Sequence, residues 1–428
     1  MSIEKEILWK KISERVGGEL GERIVAELKK LYSHLDRRML KWAADLYDHE
    51  IGGFYYSNSA RDTDGYLPDI ESTWDHLVLS YSLGAMNKYG DSLESALANG
   101  YPEWLKVKVR EYFMSLQHPD GYYYHPQWSK ESHTISRIGR DRGSANTIIR
   151  AFGAAPKYQL SSPVSEESKV NVPERYHSEE NFRAYLDSLN IKTQSYNAIS
   201  QVLTQIPQIR AYGEALGVDM MQITEDWLID NMNPENGLWQ DEVTRYSVNG
   251  MHKATRIFNS RQKAIPFAER GFESTISVIF SDEEERAVVD IYNPWHVLSD
   301  MLTNMRTYGD EQTKKNAEKL ARRVREIAPE AIRISTEKIL KFQYEDGSFS
   351  YLKGHPSYTN QGMPSAVVGS SEGDANGNGC AVVGLIPSIF GALELSDVFV
   401  PVFDDDDFNY YLGLLSEKKR EWEEKNRG

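Results

Sequence analysis

The sequence predicts an all-α protein in which helical hairpins close into a ring. A motif of glycine followed by aromatic residues recurs four times after helix-like stretches, at residues 52–56, 120–124, 236–239 and 346–351. Apolar residues recur at helical spacing between the copies, and almost no stretch alternates with the period of two of a strand. The copies lie roughly 70 to 120 residues apart, which is too long and uneven for a short-period solenoid.

Each copy of the motif predicts a tight turn that joins two helices. Glycine permits the positive φ that such a turn needs, and the aromatic side chains after it can pack inward. Before the first turn, residues 4–48 predict two amphipathic helices. After it, Pro68 and Asp69 suit the start of a helix that runs to about Tyr89. A further helix over about 102–117 leads to the second turn.

The rest of the chain continues the alternation of helices and loops within one predicted domain, residues 1–428. Helices are predicted at about 178–189, 193–215, 218–231, 293–307, 310–327, 329–343 and 380–395. Long loops are predicted at 154–177, at 240–265 before a helix from Pro266, and at 353–379. The loop 154–177 is either a lid or a solvated connection. The charged helix at about 408–427 is expected to lie on the outside.

Composition limits the classes of function. The net charge of -15 disfavours nucleic acid and anionic membrane surfaces as partners. No stretch approaches the roughly 20 apolar residues of a membrane helix, the start of the chain is charged, and a single cysteine fits a reducing compartment. We therefore expect a cytoplasmic protein. The 25 Tyr and 9 Trp residues suit either sugar binding or ordinary core packing.

This alternation of paired helices, aromatic turns and polar loops resembles the (α/α)6 toroid class. Six-hairpin glycosidases, several polysaccharide lyases and the terpenoid cyclase and prenyltransferase group share that class. The resemblance implies an active site in the funnel of the ring, at the N-terminal ends of the inner helices. Free N–H groups and a partial positive charge at helix N-termini agree with that placement.

The first candidate site follows the first turn, at residues 69–73. Asp69 and Glu71 lie in the first turn of a predicted helix, where acidic residues also act as caps worth about 0.5–2 kcal/mol. The functional interpretation makes Glu71 or Asp69 a general acid or base. The segment also resembles the Asp-x-Asp-Asp-Thr motif of class II terpenoid cyclases, with Glu71 at the protonating position and Ser72 in place of the last aspartate.

Two basic segments supply candidate groups for binding an acidic sugar. Residues 137–146 contain three arginines, among them Arg140, which either bind a carboxylate or form an ion-pair network with Asp141. Residues 245–256 follow the third turn and carry the groups a uronate lyase uses. There Asn249 and the cations neutralise charge, and a tyrosine or histidine moves the proton. The candidates in this segment are Arg245, Tyr246, Asn249, His252 and Lys253.

The loop from Gly362 to Gly379 supplies a carboxylate that the ring brings opposite Glu71. Two opposed carboxylates are what glycoside hydrolysis requires, so Asp374 is the predicted partner of Glu71. The alternative is that its Gly, Asp and Asn residues are ordinary loop residues. A helix start at residues 293–296 adds Trp295 and His296 to the predicted cleft.

The sequence therefore favours a glycoside hydrolase acting on an oligosaccharide with an acidic sugar, with Glu71 and Asp374 as the acid/base pair. Arg140, Arg245 and Lys253 would hold the anionic group, on aromatic platforms formed by Tyr66, Trp74, Trp128, Trp239 and Trp295. The alternatives are a β-eliminating lyase using Tyr246, His252 and Asn249, a terpenoid cyclase-like enzyme, and a non-catalytic sugar-binding toroid. No cofactor or metal is predicted, because the 10 histidines show no zinc-type spacing and one cysteine cannot build a zinc site.

Overall fold

The structure is a computed structural model that describes residues 3–426, most of which lie in helices. The first half of the chain forms ten α-helices and one two-stranded sheet. The helices are α1 (Ile3–Val16), α2 (Gly18–Tyr32), α3 (Arg37–Asp45), α4 (Asn58–Arg61), α5 (Ile70–Ser82), α6 (Leu93–Gly100), α7 (Glu103–Ser115), α8 (Ile135–Ala151), α9 (Glu166–Lys169) and α10 (Glu179–Ser188). The strands β1 (Tyr47–Asp48) and β2 (Gly53–Phe54) pair antiparallel across the first aromatic turn.

The second half contains ten further α-helices and a second short sheet. The helices are α11 (Ile191–Leu203), α12 (Ile206–Leu216), α13 (Met220–Asp230), α14 (Arg245–Arg261), α15 (Ala268–Ile279), α16 (Val289–Tyr308), α17 (Glu311–Ile339), α18 (Ala375–Asn378), α19 (Leu385–Ala392) and α20 (Asp405–Lys425). A π-helical turn, Gly379–Gly384, joins α18 to α19. The strands β3 (Thr359–Asn360) and β4 (Met363–Pro364) form an antiparallel hairpin in the predicted loop 353–379.

Six helical segments contact one another in a closed circuit. Helix α5 packs against α8, α8 against α11, α11 against α14, α14 against α16, and α16 against α19. The segment that contains α18 and the π-helical turn packs against α5 and completes the circuit. We call α5, α8, α11, α14, α16 and the α18–α19 segment the inner helices. Their buried apolar residues belong to one continuous cluster.

The four aromatic turns share one geometry, as predicted. Each glycine has a positive φ, at 89° for Gly52, 87° for Gly121, 68° for Gly237 and 84° for Gly347. A backbone bridge closes each turn: Tyr47 with Phe54, Gln117 with Tyr123, Asn233 with Leu238, and Gln343 with Phe349. In the last three turns, the Asp or Asn before the glycine accepts a hydrogen bond from the N–H two residues later. The repeat in the sequence is therefore a repeated turn.

Several predicted boundaries are wrong. The predicted loop 240–265 contains the helix α14, whose polar residues hide its period because they point at other inner helices. Residues 4–48 form three helices, not two, because the second predicted helix ends at Tyr32 and a new helix, α3, starts after its cap Asp36. The predicted helix 193–215 divides into α11 and α12. The two helices predicted on either side of Pro329 are one, α17, because the turns around the proline are buried and held by packing.

The turn at Gly237 is expected to be sensitive to a single methyl group. A Cβ at Gly237 would lie 2.3 Å from the backbone nitrogen of Gly271, and its positive φ is strained for any L side chain. Gly237→Ala should therefore lower the free energy of unfolding by about 1–3 kcal/mol, measured by urea denaturation. Gly153 has a φ of 81°, and a Cβ added there would have no other atom within 4 Å. Gly153→Ala therefore measures the cost of the positive φ alone. Equal losses in the two variants would contradict the close-approach argument.

Candidate active site

The loops that precede the inner helices α5, α8 and α18 bond to one another. The Thr134 hydroxyl donates to the Gln361 carbonyl at 2.5 Å, and the Ser136 hydroxyl donates to the Gln361 side-chain oxygen at 2.8 Å. The Ala375 N–H donates to the Tyr56 carbonyl at 2.9 Å. The N-termini of these inner helices therefore lie close together, beneath the β3–β4 hairpin.

Asp69 fixes the start of α5. Its carboxylate caps the helix by accepting from the Ser72 N–H at 2.9 Å and from the Ser72 hydroxyl at 2.7 Å. The buried Arg137 guanidinium donates to the same carboxylate at 2.6 Å and to Asp141 at 2.8 Å. Burial alone would raise the pKa of Asp69, but the Arg137 charge and the Ser72 N–H lower it. Asp69 is thus an ionised cap, which corrects its prediction as a catalytic residue.

Glu71 lies two residues further along α5 and is 1% exposed. Its Oε1 forms an ion pair with the Arg140 guanidinium, which reaches it from α8. Among the described residues, its second oxygen has no hydrogen-bond partner. The pair joins two predicted site residues and leaves a buried carboxylate oxygen of Glu71 without a hydrogen-bond donor from residues 3–426.

Asp75 is the second carboxyl group at this site, one helical turn after Glu71. Burial, followed by the negative charge of Glu71, raises the pKa of Asp75 well above its usual range, and Arg140 only partly offsets this. Two carboxyl groups side by side thus differ in their environment, since one is paired with a cation and the other favours its protonated form. Such a difference separates the roles of acid and base.

Asp374 is fully buried and holds backbone rather than facing a cavity. Its Oδ1 accepts from the Gly377 N–H at 2.8 Å, and its Oδ2 accepts from the Tyr351 N–H at 2.7 Å and the Ser357 N–H at 3.3 Å. Burial raises its pKa to about 6 against the effect of these N–H groups. Because both oxygens are occupied, Asp374 is the cap of α18. This role differs from the predicted one, a partner that faces Glu71 from across the ring, and the carboxyl group beside Glu71 is Asp75, on the same helix.

Lys253 faces the same centre from α14. It is half-buried, and its ammonium lies 5.5 Å from the centre of the Tyr196 ring. Burial, together with the positive charges of Arg140 and Arg256, lowers its pKa to about 7. An amine of this kind changes charge near neutral pH.

A cavity of about 520 Å³ opens at the N-terminal end of α8 and beside the second half of α11. Hydroxyl and amide groups dominate its wall, namely Thr134, Ser136, Tyr196, Asn197, Ser200, Gln201, Tyr351, Ser357, Thr359, Gln361 and Asn376. Tyr196 belongs both to this wall and to the surroundings of Lys253 and Arg140. A cavity of about 560 Å³ at the C-terminal end of α5 is larger, but the polar cavity is the one whose wall includes Tyr196, the neighbour of Lys253 and Arg140.

The predicted aromatic platforms divide into two groups. Trp239 and Trp295 are 0% exposed, and their indole N–H groups donate to the Leu228 carbonyl and the Ser335 hydroxyl. Both are core residues with no ring face open to a ligand, which corrects those two predictions. Trp128 covers Arg137 and donates to the Pro364 carbonyl at 3.0 Å. Tyr66 donates to the Ala366 carbonyl at 3.2 Å, and Trp74 packs half-buried against the core.

Three residues at the start of α14 have structural partners. The buried Arg245 donates to Glu285 at 3.1 Å and to the Ser281 and Glu283 carbonyls, so it is not free to hold a substrate anion. The Asn249 amide donates to Asp290 at 3.0 Å. The Tyr246 hydroxyl donates to the Gln194 side chain at 2.9 Å, and its ring lies 5.9 Å from that of Tyr196. These contacts fasten the start of α14 to its neighbours.

His252 and His296 pack against each other further along the inner helices, with ring centres 4.5 Å apart. Burial lowers the pKa of His252 well below its usual range, so the ring is neutral. His296 lies between the Ser388 hydroxyl at 3.0 Å and Asp300 at 3.0 Å. This pair lies beside Lys253 rather than in the wall of the polar cavity.

Sequence reasoning missed four residues of the site: Asp75, Tyr196, Tyr351 and Asn376. One signal was present, because Asp75 follows Glu71 by four residues and therefore shares its face of the helix. Tyr351 ends the fourth aromatic turn and Asn376 lies in the candidate loop Gly362 to Gly379, so both belong to segments that the sequence had marked, whereas nothing marked Tyr196. Within residues 3–426, no group of three His, Cys, Asp or Glu residues has the arrangement of a metal site.

Comparisons with known proteins gave no match among family models, curated proteins or solved structures. No helix within the described part of the chain is both long and apolar enough to span a membrane.

Amide substitutions of the two neighbouring carboxyl groups are expected to change stability in opposite directions. Asp75→Asn removes a carboxyl group whose pKa is raised in the folded protein. That carboxyl group stabilises the folded protein at low pH, and this stabilisation is lost as the pH rises toward the raised pKa. The variant should therefore gain stability over the wild type between about pH 5 and about pH 8. Glu71→Gln leaves Arg140 without its carboxylate and should lose about 1–3 kcal/mol.

Urea denaturation of both variants at the two pH values provides the measurement. The matched control is Asp64→Asn, because Asp64 is exposed and should change stability little at either pH. A destabilised Asp75→Asn variant at the higher pH would show that the Asp75 carboxyl is ionised in the folded protein.

Proposed function

We propose that the chain is a carbohydrate-active enzyme, built as an (α/α)6 toroid, that cleaves a glycosidic bond in an oligosaccharide bearing an acidic sugar. The closed circuit of inner helices supports the toroid. The observation that carries the activity is the pair of carboxyl groups, Glu71 and Asp75, which lie one turn apart on α5 with Arg140 beside Glu71. The single cysteine and the lack of a membrane-type helix among the described residues fit a cytoplasmic site of action.

The two carboxyl groups divide the chemistry of hydrolysis between them. Asp75 holds a proton and donates it to the glycosidic oxygen as the bond to the leaving sugar breaks. Glu71, aligned by Arg140, attacks the anomeric carbon, and Asp75 then removes a proton from the water that releases the product. Side chains four apart on a helix have Cβ atoms roughly 5–6 Å apart, which is closer to the spacing of retaining enzymes than of inverting ones.

The cavity supports a sugar rather than a hydrocarbon as the ligand. Its hydroxyl and amide groups offer hydrogen bonds to sugar hydroxyls, and the Tyr196 and Tyr351 rings offer apolar faces. Arg140 and Lys253 supply positive charge at its inner end. A terpenoid substrate would leave these polar groups without partners, which is unfavourable.

A β-eliminating lyase is the second candidate, and Lys253 is the observation that favours it. Elimination from a uronate needs a base that removes the proton next to the carboxyl group, together with a cation that neutralises the carboxylate. An amine with a pKa of about 7 is suited to the first role at neutral pH, and Arg140 is suited to the second. The two reactions differ in whether water enters the product.

The deciding experiment incubates the protein with neutral and uronate-containing oligosaccharides in heavy-oxygen water. Products are followed by mass spectrometry and ultraviolet absorbance. Hydrolysis places label at the new reducing end, and Glu71→Gln and Asp75→Asn should each lower kcat by about 10²–10⁴-fold. An unsaturated product without label, lost in Lys253→Gln but kept in Asp75→Asn, would establish elimination instead.

The matched control is Glu225→Gln, on α13. Glu225 is a buried carboxylate that pairs with Arg261 at 3.0 Å, away from the cavity. This variant loses a comparable ion pair, so it should lose stability but keep kcat. If binding occurs without any cleavage, the protein is a sugar-binding toroid and the proposed activity is wrong.

A further inference from the structure

Lys253 differs from the other cations of the inner helices in its partners. Arg137 bonds to Asp69 and Asp141, Arg140 pairs with Glu71, and Arg245 pairs with Glu285. Within residues 3–426, no carboxylate oxygen lies within ion-pairing distance of the Lys253 ammonium, which instead faces the Tyr196 ring.

The groups around Lys253 do not supply the missing negative partner. Its neighbours on α14 are His252, which is neutral, and Arg256, which is positive. The charged group from α8 is Arg140, and those from α5 are Glu71, which is already paired, and Asp75, which favours its protonated form. The outer side of α14 carries the closed Glu225–Arg261 pair. The remaining groups are Tyr196 on α11, the Cys380 thiol, and Asp290, Tyr292, His296 and Asp300 on α16. Asp290 accepts from the Asn249 amide and Asp300 pairs with His296, so neither carboxylate pairs with Lys253.

A half-buried ammonium without an anion is unfavourable, because it loses hydration without gaining a partner. An anionic ligand group placed beside Tyr196 would supply that partner. Tyr196 also lines the wall of the polar cavity, so the ring that the ammonium faces is one that a ligand in the cavity would contact.

We propose that Lys253 binds the carboxylate of the acidic sugar, and that above neutral pH this binding brings a proton onto the Lys253 amine. This inference takes its class of ligand from the proposed function, but it concerns binding and not cleavage. The neutral amine takes this proton from solvent, and the resulting ammonium pairs with the carboxylate.

The pH dependence follows from this coupling. The pKa of Lys253 in the free protein is about 7, and a bound carboxylate raises it. Below about pH 7 the amine already carries its proton, so the affinity for the carboxylate is independent of Lys253 ionisation. Above about pH 7 the affinity should fall up to about tenfold per pH unit, because each binding event must first protonate the amine.

Isothermal titration calorimetry with glucuronate and galacturonate tests the coupling. Each uronate is compared with its neutral sugar, glucose or galactose, in phosphate and in Tris buffer. The difference in heat between the buffers gives the number of protons taken up. The expected uptake is about 0.9 proton at about pH 8 and about 0.1 proton at about pH 6, with weaker binding of the neutral sugars.

Two variants separate charge from titration. Lys253→Arg keeps the positive charge but stays protonated, so it should bind uronate with no proton uptake and a flat pH profile. Lys253→Gln should weaken uronate binding at least tenfold at about pH 6 and leave neutral-sugar binding unchanged. The control is Lys338→Gln, because Lys338 is also partly buried with a lowered pKa but pairs with Glu285 at 3.2 Å.

Several outcomes would overturn the inference. They are no uronate binding, uronate binding without proton uptake in the wild type, and unchanged binding in Lys253→Gln. The wild-type measurement needs no variant, so a folding defect cannot mask the result. The heavy-oxygen cleavage assay judges the proposed function separately. Cleavage without uronate binding contradicts this inference alone, and uronate binding without cleavage contradicts the proposed function alone.

Discussion

The Arg137 guanidinium fixes the relative position of the two helices that form the candidate site. It is completely buried and joins Asp69 at the start of α5 to Asp141 on its own helix, α8. Loss of Arg137 would leave both buried carboxyl groups without their cation, which is strongly destabilising. Glu71 follows Asp69 by two residues and Arg140 follows Arg137 by three, so the contact that holds the helices also aligns the ion pair at the site.

The centre of the ring combines opposite charges with groups that burial keeps neutral. Glu71 has Arg140 as its partner, whereas burial and the charge of Glu71 keep Asp75 close to its protonated form. Lys253 has no carboxylate partner among the described residues and changes charge near pH 7. A carboxyl group with a raised pKa, a paired carboxylate and a titrating amine thus lie among the inner helices, and perturbed groups of this kind cluster at functional sites.

The sequence predicted the repeated turns more reliably than the site. A glycine with a positive φ followed by aromatic residues is a local requirement, so the four turns could be recognised without tertiary information. Helix α14 was missed because its polar residues face the other inner helices, so it lacks the polar outer face that makes a surface helix readable. Trp239 and Trp295 are likewise enclosed by neighbouring helices and are core residues, although their sequence context matched that of binding platforms.

The sequence by itself determined the helical class, the turn repeat, and Glu71 and Arg140 as members of a candidate site. The helical class and the turn repeat depend on local propensity and spacing. Glu71 and Arg140 were recognised because a charged side chain near a helix start is a candidate for a functional group. The tertiary structure decided which carboxyl group accompanies Glu71. Asp374 became a cap because three N–H groups of its own loop reach its oxygens, whereas Asp75 was left beside Glu71 without such donors. Partners of this kind come from segments distant in the chain, so only folding brings them together.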